Sequence, residues 1–597
     1  METLPLQQSD FAAAPNLVRL FLDRADELGD RPFLVAKTAG AWQRLSWRET
    51  ARQVCLLAEA LRAMGLRGGD RVMLVAENRP EWAIADLAIM AAGCITTPAY
   101  TTNTERDHEH ILANSGARAV IVSNGKLAQP LLPAMLRAGV AEHLIGMESI
   151  RAGQLGKFER HEWSDLLAGD ADAARAAVDA RIAGIGRRDP ACIIYTSGTS
   201  GAPRGVLLHH GAILCNVEGA AEVLGGDFGW DRERFLSFLP MSHALEHTAG
   251  LYLPIGLGAE IWFAEGLDRL SSNIEDAQPT FMVVVPRLFE LLRGRIVKQV
   301  EKQGRLANFL LDRALSLAER RASRQHKVTD WPVGRLLDVT LRPKVRKRFG
   351  GKMKALVSGG APLNPEVGAF FESMGLVMLQ GYGQTESAPV VSCNYPSAGV
   401  DLASVGPPLR GVEVRFAADG EILVRGELVM LGYWQNQEET DKAVIDGWLQ
   451  TGDIGHFDER GRIVITDRKK DIIVNDKGDN IAPQKLEGML TLQPEIAQAM
   501  VSGDKRPFVV GLLVADADWA FDWAKANDEK FDLPRLQGLP AFRSAMRGAV
   551  DRVNAELSVT EKIRQFAFAD EPFTIENDEM TPTMKIRRHA IRARYSA

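Results

Sequence analysis

The sequence predicts a layered α/β fold with a small β subdomain and a separate C-terminal domain, and three observations predict it. Apolar, strand-like runs alternate with helix-spaced segments through the first third of the chain, the mark of a mostly parallel sheet covered by helices. A period-two stretch over residues 412–424 reads as a hairpin. The charged run Asp467-Arg468-Lys469-Lys470-Asp471 then follows a strand abruptly, as a domain boundary does. A chain of 597 residues requires more than one core, and this boundary divides it into 1–466 and 467–597.

Each element has a local reason. Ser46-Trp47-Arg48-Glu49 has the spacing of a capping box, and Val54, Leu57, Leu61 and Met64 follow at helical intervals until Gly65. Residues 71–76 form a short apolar strand, 82–92 a buried helix, and 94–100 and 117–123 further strands. Residues 281–285 are a buried strand halted by Pro286, and 293–327 a long, charged, helical insertion. In the hairpin, Val412, Val414 and Phe416 alternate with Glu413 and Arg415, and Asp419-Gly420 turns the chain back into Ile422 and Val424. Residues 458–461 are a turn and 462–466 a strand before the boundary.

Composition removes several function classes. Hydrophobic residues at 46% with 25% charged residues describe a soluble globular chain, not a disordered one. A net charge of −6 from 71 basic and 77 acidic side chains implies no general nucleic-acid binding. The five cysteines (Cys55, Cys94, Cys192, Cys215 and Cys393) are scattered without metal or redox spacing, so buried thiols in a reducing compartment are expected. Residues 1–15 lack the features of a signal peptide. The most apolar windows, 82–95 and 251–264, are interrupted by Asp86 and Glu260, so no membrane span and a cytoplasmic location are expected.

Several stretches carry chemistry. Ile194-Tyr195-Thr196-Ser197-Gly198-Thr199-Ser200-Gly201-Ala202-Pro203-Arg204-Gly205-Val206 reads as a loop leaving a buried strand. Its hydroxyls and glycine-exposed N–H groups can wrap phosphate oxygens, and Arg204 adds positive charge. It is not a Walker loop, which would need glycine at Pro203; taken alone it reads as a Ser/Gly-rich surface turn. In the segment 238–247, His243 and His247 would share a helical face, but without H-E-x-x-H order a metal pair is not expected.

Val357-Ser358-Gly359-Gly360-Ala361-Pro362-Leu363-Asn364-Pro365 is a strand, a glycine turn and a helix start with Asn364 as N-cap. Gln380-Gly381-Tyr382-Gly383-Gln384-Thr385-Glu386 suggests a flat turn for stacking an aromatic base, and Glu386 offers Mg²⁺ a hard oxygen. Asp453 is either a turn former or an acceptor for vicinal hydroxyls. Lys585, within Met580-Thr581-Pro582-Thr583-Met584-Lys585-Ile586, would by itself be a solvated lysine on a basic tail.

In this order the motifs resemble the signatures of the adenylate-forming (AMP-binding) superfamily, which includes acyl-CoA synthetases, firefly luciferase and peptide-synthetase adenylation domains. The resemblance spans essentially the whole chain. It departs at Arg204, where the family usually has Lys, at Ser200, often Thr, and at Lys477-Gly478, commonly Gly-Gly. It implies that Ser197, Gly198, Thr199, Ser200, Gly201 and Arg204 bind phosphates, and that Gly360 and Ala361 lie against adenine, where a Cβ would obstruct the ring. Gly381, Tyr382 and Gly383 would form the adenine turn, with Thr385 a phosphate contact. Thr196 and Glu386 would contact the Mg²⁺–triphosphate unit, and Asp453 and Arg468 the ribose. His243 would stand beside the acyl site, with 248–255 helping to line it, and Lys585 would be the catalytic lysine of adenylation. The implied architecture is a large N-terminal adenylation domain, a hinge at Asp467 and a smaller, mobile α+β cap.

The implied reaction is ATP-dependent activation of a fatty acid to acyl-AMP with release of pyrophosphate, followed by thioester formation with CoA. The insertion, the "VPRLFE" and "PMSHALEHTAG" segments and the length resemble the long-chain fatty acid–CoA ligase branch. Ligation of aryl or other carboxylates to CoA, and acyl transfer to a carrier protein, remain alternatives. A non-catalytic lipid-binding protein is a third, and the intact Thr196, Glu386, Asp453 and Lys585 speak against it. The basic cluster Arg342, Lys344, Arg346, Lys347, Arg348, Lys352 and Lys354 is ordinarily a solvated helix face, with CoA phosphates or peripheral contact at an anionic inner-membrane surface as further readings. A homodimer is also left open.

Overall fold

Caps and glycines set the helices of this protein where the sequence places them. In the computed structural model, which describes residues 13–150, 158–196, 203–301, 304–322, 330–476, 479–581 and 585–595, Ser46 Oγ accepts from the Glu49 N–H at 3.1 Å and starts the helix Trp47–Ala63. Gly65, at φ +89°, follows the helix end. The box is not reciprocal as expected: the Glu49 carboxylate accepts from Arg52 and Gln53. Pro80 opens the helix Pro80–Ala91, and every residue from Trp82 to Ala91 is buried. Asn364 and Pro365 start the helix Pro365–Ser373 as expected, Asn364 Oδ1 accepting from the Glu366 N–H at 2.9 Å.

Packing divides the chain into two compact units. The first holds the residues through Arg415 together with Leu423–Thr451 and Asp458–Ile463; the second holds Phe416–Ile422, Gly452–Phe457 and the chain from Val464 onward.

Two eight-stranded sheets organise the first unit. One runs in the order Gly432–Tyr433, Arg204–His209, Pro190–Thr196, Ile95–Pro98, Arg71–Val75, Ala119–Val122, His143–Gly146, Glu159–Glu162. It is parallel from Pro190–Thr196 onward and antiparallel at its first two strands. The other runs Ser392–Cys393, Met378–Tyr382, Ala355–Ser358, Phe281–Val284, Arg234–Ser237, Glu260–Phe263, Pro32–Thr38, Ala41–Ser46, parallel except at its two edges. The inner strands are buried on both faces, which is why they read as continuous apolar runs.

Some boundaries differ from expectation. The expected strands at 94–100 and 117–123 shorten to Ile95–Pro98 and Ala119–Val122. The long insertion is two helices, Pro286–Glu301 and Arg305–Ala322. Two members of the basic cluster are structural. Arg342 is buried and binds Asp338 and the Ser373 carbonyl, and Lys354 pairs with Glu233 at 2.6 Å. Among the described residues no helix is long and apolar enough to cross a membrane.

The second unit has its own core. A three-stranded sheet, Ile496–Ser502, Val509–Ala515, Ile563–Phe568, carries the helices Pro483–Thr491 and Pro540–Glu556, with Leu486, Val501, Leu513, Phe542 and Met546 among the residues closing the interior. The chain is therefore α/β, with a large N-terminal part and a smaller C-terminal part bearing a sheet of its own.

Candidate active site

In parallel sheets ligands gather beyond the carboxyl ends of the strands, and the predicted motifs of the first unit stand there. Thr196 ends Pro190–Thr196, Ser358 ends Ala355–Ser358 before Gly359-Gly360-Ala361, Tyr382 ends Met378–Tyr382, and Ser237 ends Arg234–Ser237 before the His243 segment. Ser197, Gly198, Thr199, Ser200 and Gly201 lie outside the described residues, as do Lys477 and Gly478.

A connected cluster forms around Glu386. Thr196 is paired with Arg204 across the antiparallel strands, its hydroxyl 3.5 Å from the Arg204 carbonyl. The Arg204 guanidinium lies 4.4 Å over the Tyr433 ring and pairs with Glu439 at 2.7 Å. The Tyr433 hydroxyl donates to Glu386 Oε1 at 2.8 Å. Burial, then the neighbouring Glu386 carboxylate, pushes the ionisation of Tyr433 well above its ordinary range, so the phenol stays a donor. The Glu386 carbonyl accepts from the Met430 N–H at 2.9 Å, which fixes its backbone as well.

The expected loop is shorter than its motif. Arg204 stands at the start of the strand Arg204–His209, and its charge is engaged by Glu439. Tyr433 and Glu439 were not among the predicted residues. The only local signal is Tyr433 between Gly432 and Trp434 in a short strand, and Glu439 looks like any helix-surface acid. For Mg²⁺ the donors fit: a carboxylate with one oxygen fixed by a phenol, and a hydroxyl from the neighbouring strand end, are hard oxygen ligands.

The glycine motifs differ in kind. Gly381 and Tyr382 are strand residues paired with Ser392–Cys393, so the flat turn expected around Tyr382 begins only at Gly383. A Cβ on Gly383 would fall on the Pro389 carbonyl, so only glycine fits. Gly360, at φ +82°, occupies the left-handed region, and Ala361 follows it. Thr385 and Glu386 lie in the short 3₁₀ turn Thr385–Ser387. The buried Ser358 Oγ and Gln380 Oε1 beside these turns have no hydrogen-bond partner among the described residues.

His243 and His247 do not share a helical face. His243 caps the short helix Ala244–Glu246, its Nδ1 accepting from the Leu245 N–H at 3.2 Å, and a π-helix, His247–Tyr252, follows. His247 is fully buried, its Nε2 2.8 Å from Asp86 Oδ2, and the Tyr252 hydroxyl donates to the same oxygen at 2.6 Å. Glu246 accepts from the Ser237 hydroxyl at 2.6 Å, and burial pushes its carboxyl up to about 8. Asn78, unsuspected from sequence, pins the segment by donating to Ser237 Oγ and the Leu239 carbonyl and accepting from the Met241 N–H.

In the second unit Asp453, on the strand Trp448–Phe457, is buried and pairs with Arg468 Nε at 3.1 Å, so the two predicted ribose contacts meet each other. The strand expected at 462–466 runs Ile463–Arg468 and includes Asp467. Lys585 is exposed; its N–H donates to Thr581 Oγ1 at 3.1 Å and its carbonyl accepts from the Thr581 N–H at 2.7 Å.

Known proteins resemble this chain over most of its length. The AMP-binding enzyme family matches residues 21–434. The long-chain-fatty-acid–CoA ligase FadD15 of Mycobacterium bovis is 32% identical over 94% of this chain and 92% of its own length. A long-chain-fatty-acid–[acyl-carrier-protein] ligase, AEE15 of Arabidopsis thaliana, is 28% identical over 99% of this chain and 86% of its own. The adenylation domain of a carboxylate reductase from Mycobacterium chelonae shares the fold, with a TM-score of 0.75 at 20% identity, over 99% of this chain and 92% of that domain. Signature motifs at the strand ends, a family match over most of the chain and full-length relatives lead to one statement: this chain belongs to the AMP-binding, adenylate-forming enzyme family.

Proposed function

We propose that this protein is a long-chain acyl-CoA synthetase, converting a fatty acid and ATP to acyl-AMP and pyrophosphate and then passing the acyl group to CoA. The observation that carries the reading is the Thr196–Arg204–Tyr433–Glu386 cluster at the strand ends, in a chain whose 32%-identical relative is a long-chain-fatty-acid–CoA ligase. A carboxylate attacking the α-phosphate is an anion approaching an anion, so charge must be offset and the reacting oxygens held in line. Thr196 and Glu386 are the residues that hold Mg²⁺, which supplies charge neutralisation on the triphosphate when bound.

Tyr433 orients Glu386, and Arg204 contributes a cation already held by Glu439. The residues 197–201, with Thr385, receive the phosphates, Gly360, Ala361, Gly381, Tyr382 and Gly383 flank the base, and Asp453 with Arg468 takes the ribose hydroxyls. Lys585 contacts the substrate carboxylate and the α-phosphate, His243 stands at the acyl group, and Asp467 is the hinge between the half-reactions. Replacing Asp467 with proline is expected to impair thioester formation more than adenylate formation; equal loss of both would remove the hinge assignment.

Peripheral membrane contact belongs to the same reading. The helix Asp330–Val339 leaves Trp331 67% and Val339 77% exposed, Arg335 stacks on Trp331, and Lys344, Lys347 and Arg348 are exposed on the next helix. Apolar anchors beside cations suit an anionic lipid surface. Salt-sensitive co-sedimentation with anionic vesicles, lost in Trp331→Ala, checks it.

The deciding assay is pyrophosphate release with ATP, Mg²⁺ and acids of graded length, aryl acids included, with and without CoA. CoA-dependent turnover of long-chain acids is expected. Pyrophosphate exchange without thioester would transfer the acceptor role to a carrier protein, and preference for aryl acids would replace the substrate class.

A further inference from the structure

The strands His143–Gly146 and Glu159–Glu162 close one edge of the first sheet, and their register sets His143 opposite Glu159 and Ile145 opposite His161. Side chains alternate along a strand, so His143, Glu159 and His161 share one face. His143 Nδ1 lies 3.2 Å from His161 Nε2, and Glu159 Oε2 lies 3.7 Å from the first nitrogen and 3.9 Å from the second. A hydrogen bond between the imidazoles accounts for the first distance alone. Bond lengths of about 2.0–2.1 Å in a tetrahedral zinc site separate ligand atoms by about 3.3–3.4 Å. The three atoms are therefore within roughly half an ångström of a ligand triangle.

We propose that His143, His161 and Glu159 form a binding site for a divalent transition-metal ion of the zinc class, with a fourth position open to water. His143 is buried and fixed in the strand pairing, and the two rings are tilted 46° with centroids 5.3 Å apart. A ring nitrogen that is not protonated offers a lone pair to a metal, and both rings lie at the strand edge with a nitrogen turned towards the other. Glu159 is exposed and adds a carboxylate oxygen to the two ring nitrogens. Two nitrogens and one carboxylate favour a transition metal over Mg²⁺. The bound ion ties the terminal strand to its neighbour at the edge of the sheet.

The test uses the full-length protein, stripped of metal with a chelator and titrated with Zn²⁺ against a chromophoric competitor in excess Mg²⁺, which occupies hard-oxygen sites. One saturable equivalent of micromolar or tighter affinity is expected, with a Zn²⁺-dependent rise in Tm. His161→Ala should weaken binding about tenfold or more and abolish the rise. Glu159→Ala changes an exposed side chain, so it tests the site even if His161→Ala misfolds; a several-fold loss of affinity is expected. Absence of a saturable equivalent in the parent, or unchanged affinity in the variants that fold, overturns the site.

Discussion

The corner around Glu386 and the backbone at Lys585 hold the two opposite charges proposed for adenylation, and they are built in contrasting ways. Glu386 is clamped: a phenol holds its carboxylate, a backbone N–H holds its carbonyl, and the phenol is overlain by an arginine that is itself paired. The Lys585 side chain is exposed, and its backbone is held by Thr581. The contrast teaches where preorganisation is worth its cost in chain entropy. A metal ligand must point before the ion arrives, because reorienting it later would subtract from binding. A lysine that acts as a flexible point charge can be delivered late.

That contrast can be broken or sharpened. The largest effect is expected from Lys585→Ala, which should lower the rate of pyrophosphate release about 10²–10³-fold while leaving stability within about 0.5 kcal/mol. A large fall in Tm would mean that Lys585 is structural. Glu386→Gln should cost roughly 10–10² in rate and raise the Mg²⁺ concentration for half-maximal activity, a shift Lys585→Ala should not produce. Tyr433→Phe keeps the ring under Arg204 but removes the donated hydrogen bond, worth about 1 kcal/mol. It should raise the Mg²⁺ requirement about fivefold; no change would show that Glu386 needs no clamp.

A separate effect, on stability and not on rate, concerns pH. The Glu246 carboxyl is raised to about 8 in the fold from an ordinary value of 4.5, so between those values the native state keeps a proton that the unfolded chain releases. Stability from this group is thus present in acid and lost as pH rises towards 8. Glu246→Gln should flatten the decline of Tm between pH 5 and pH 8, and parallel curves for the two proteins would remove Glu246 as its source.

Local chemistry was legible in the sequence. The Ser46 and Asn364 caps depend on residues three or fewer positions away, and strands buried on both faces announce themselves as apolar runs. The stretch 194–206, the segment Gly381–Glu386 and Lys585 stand out in the sequence as motifs resembling those of a known family; residues 197–201 of the first lie outside the described residues. Contacts between distant segments were not legible. Arg204 meets Glu439 across 235 positions, and only the pairing of Gly432–Tyr433 with the strand of Arg204 brings them together. Asp86 reads in sequence as the charge that interrupts an apolar window; in the fold it is the fully buried acceptor for His247 and Tyr252. The π-helix was hidden for the same reason: it belongs to that buried network, and helical periodicity alone gives no sign of a widened turn.

The buried cysteines carry a chemical consequence. All five are free and buried, and burial pushes Cys55, Cys94 and Cys393 up to about 12 and Cys215 to about 11. An acyl adenylate is a mixed anhydride that any thiolate will attack. A protein that makes one beside reactive sulfur of its own would acylate itself; here the described thiols are held protonated and out of reach. The acyl group thereby waits for a nucleophile brought from outside the chain.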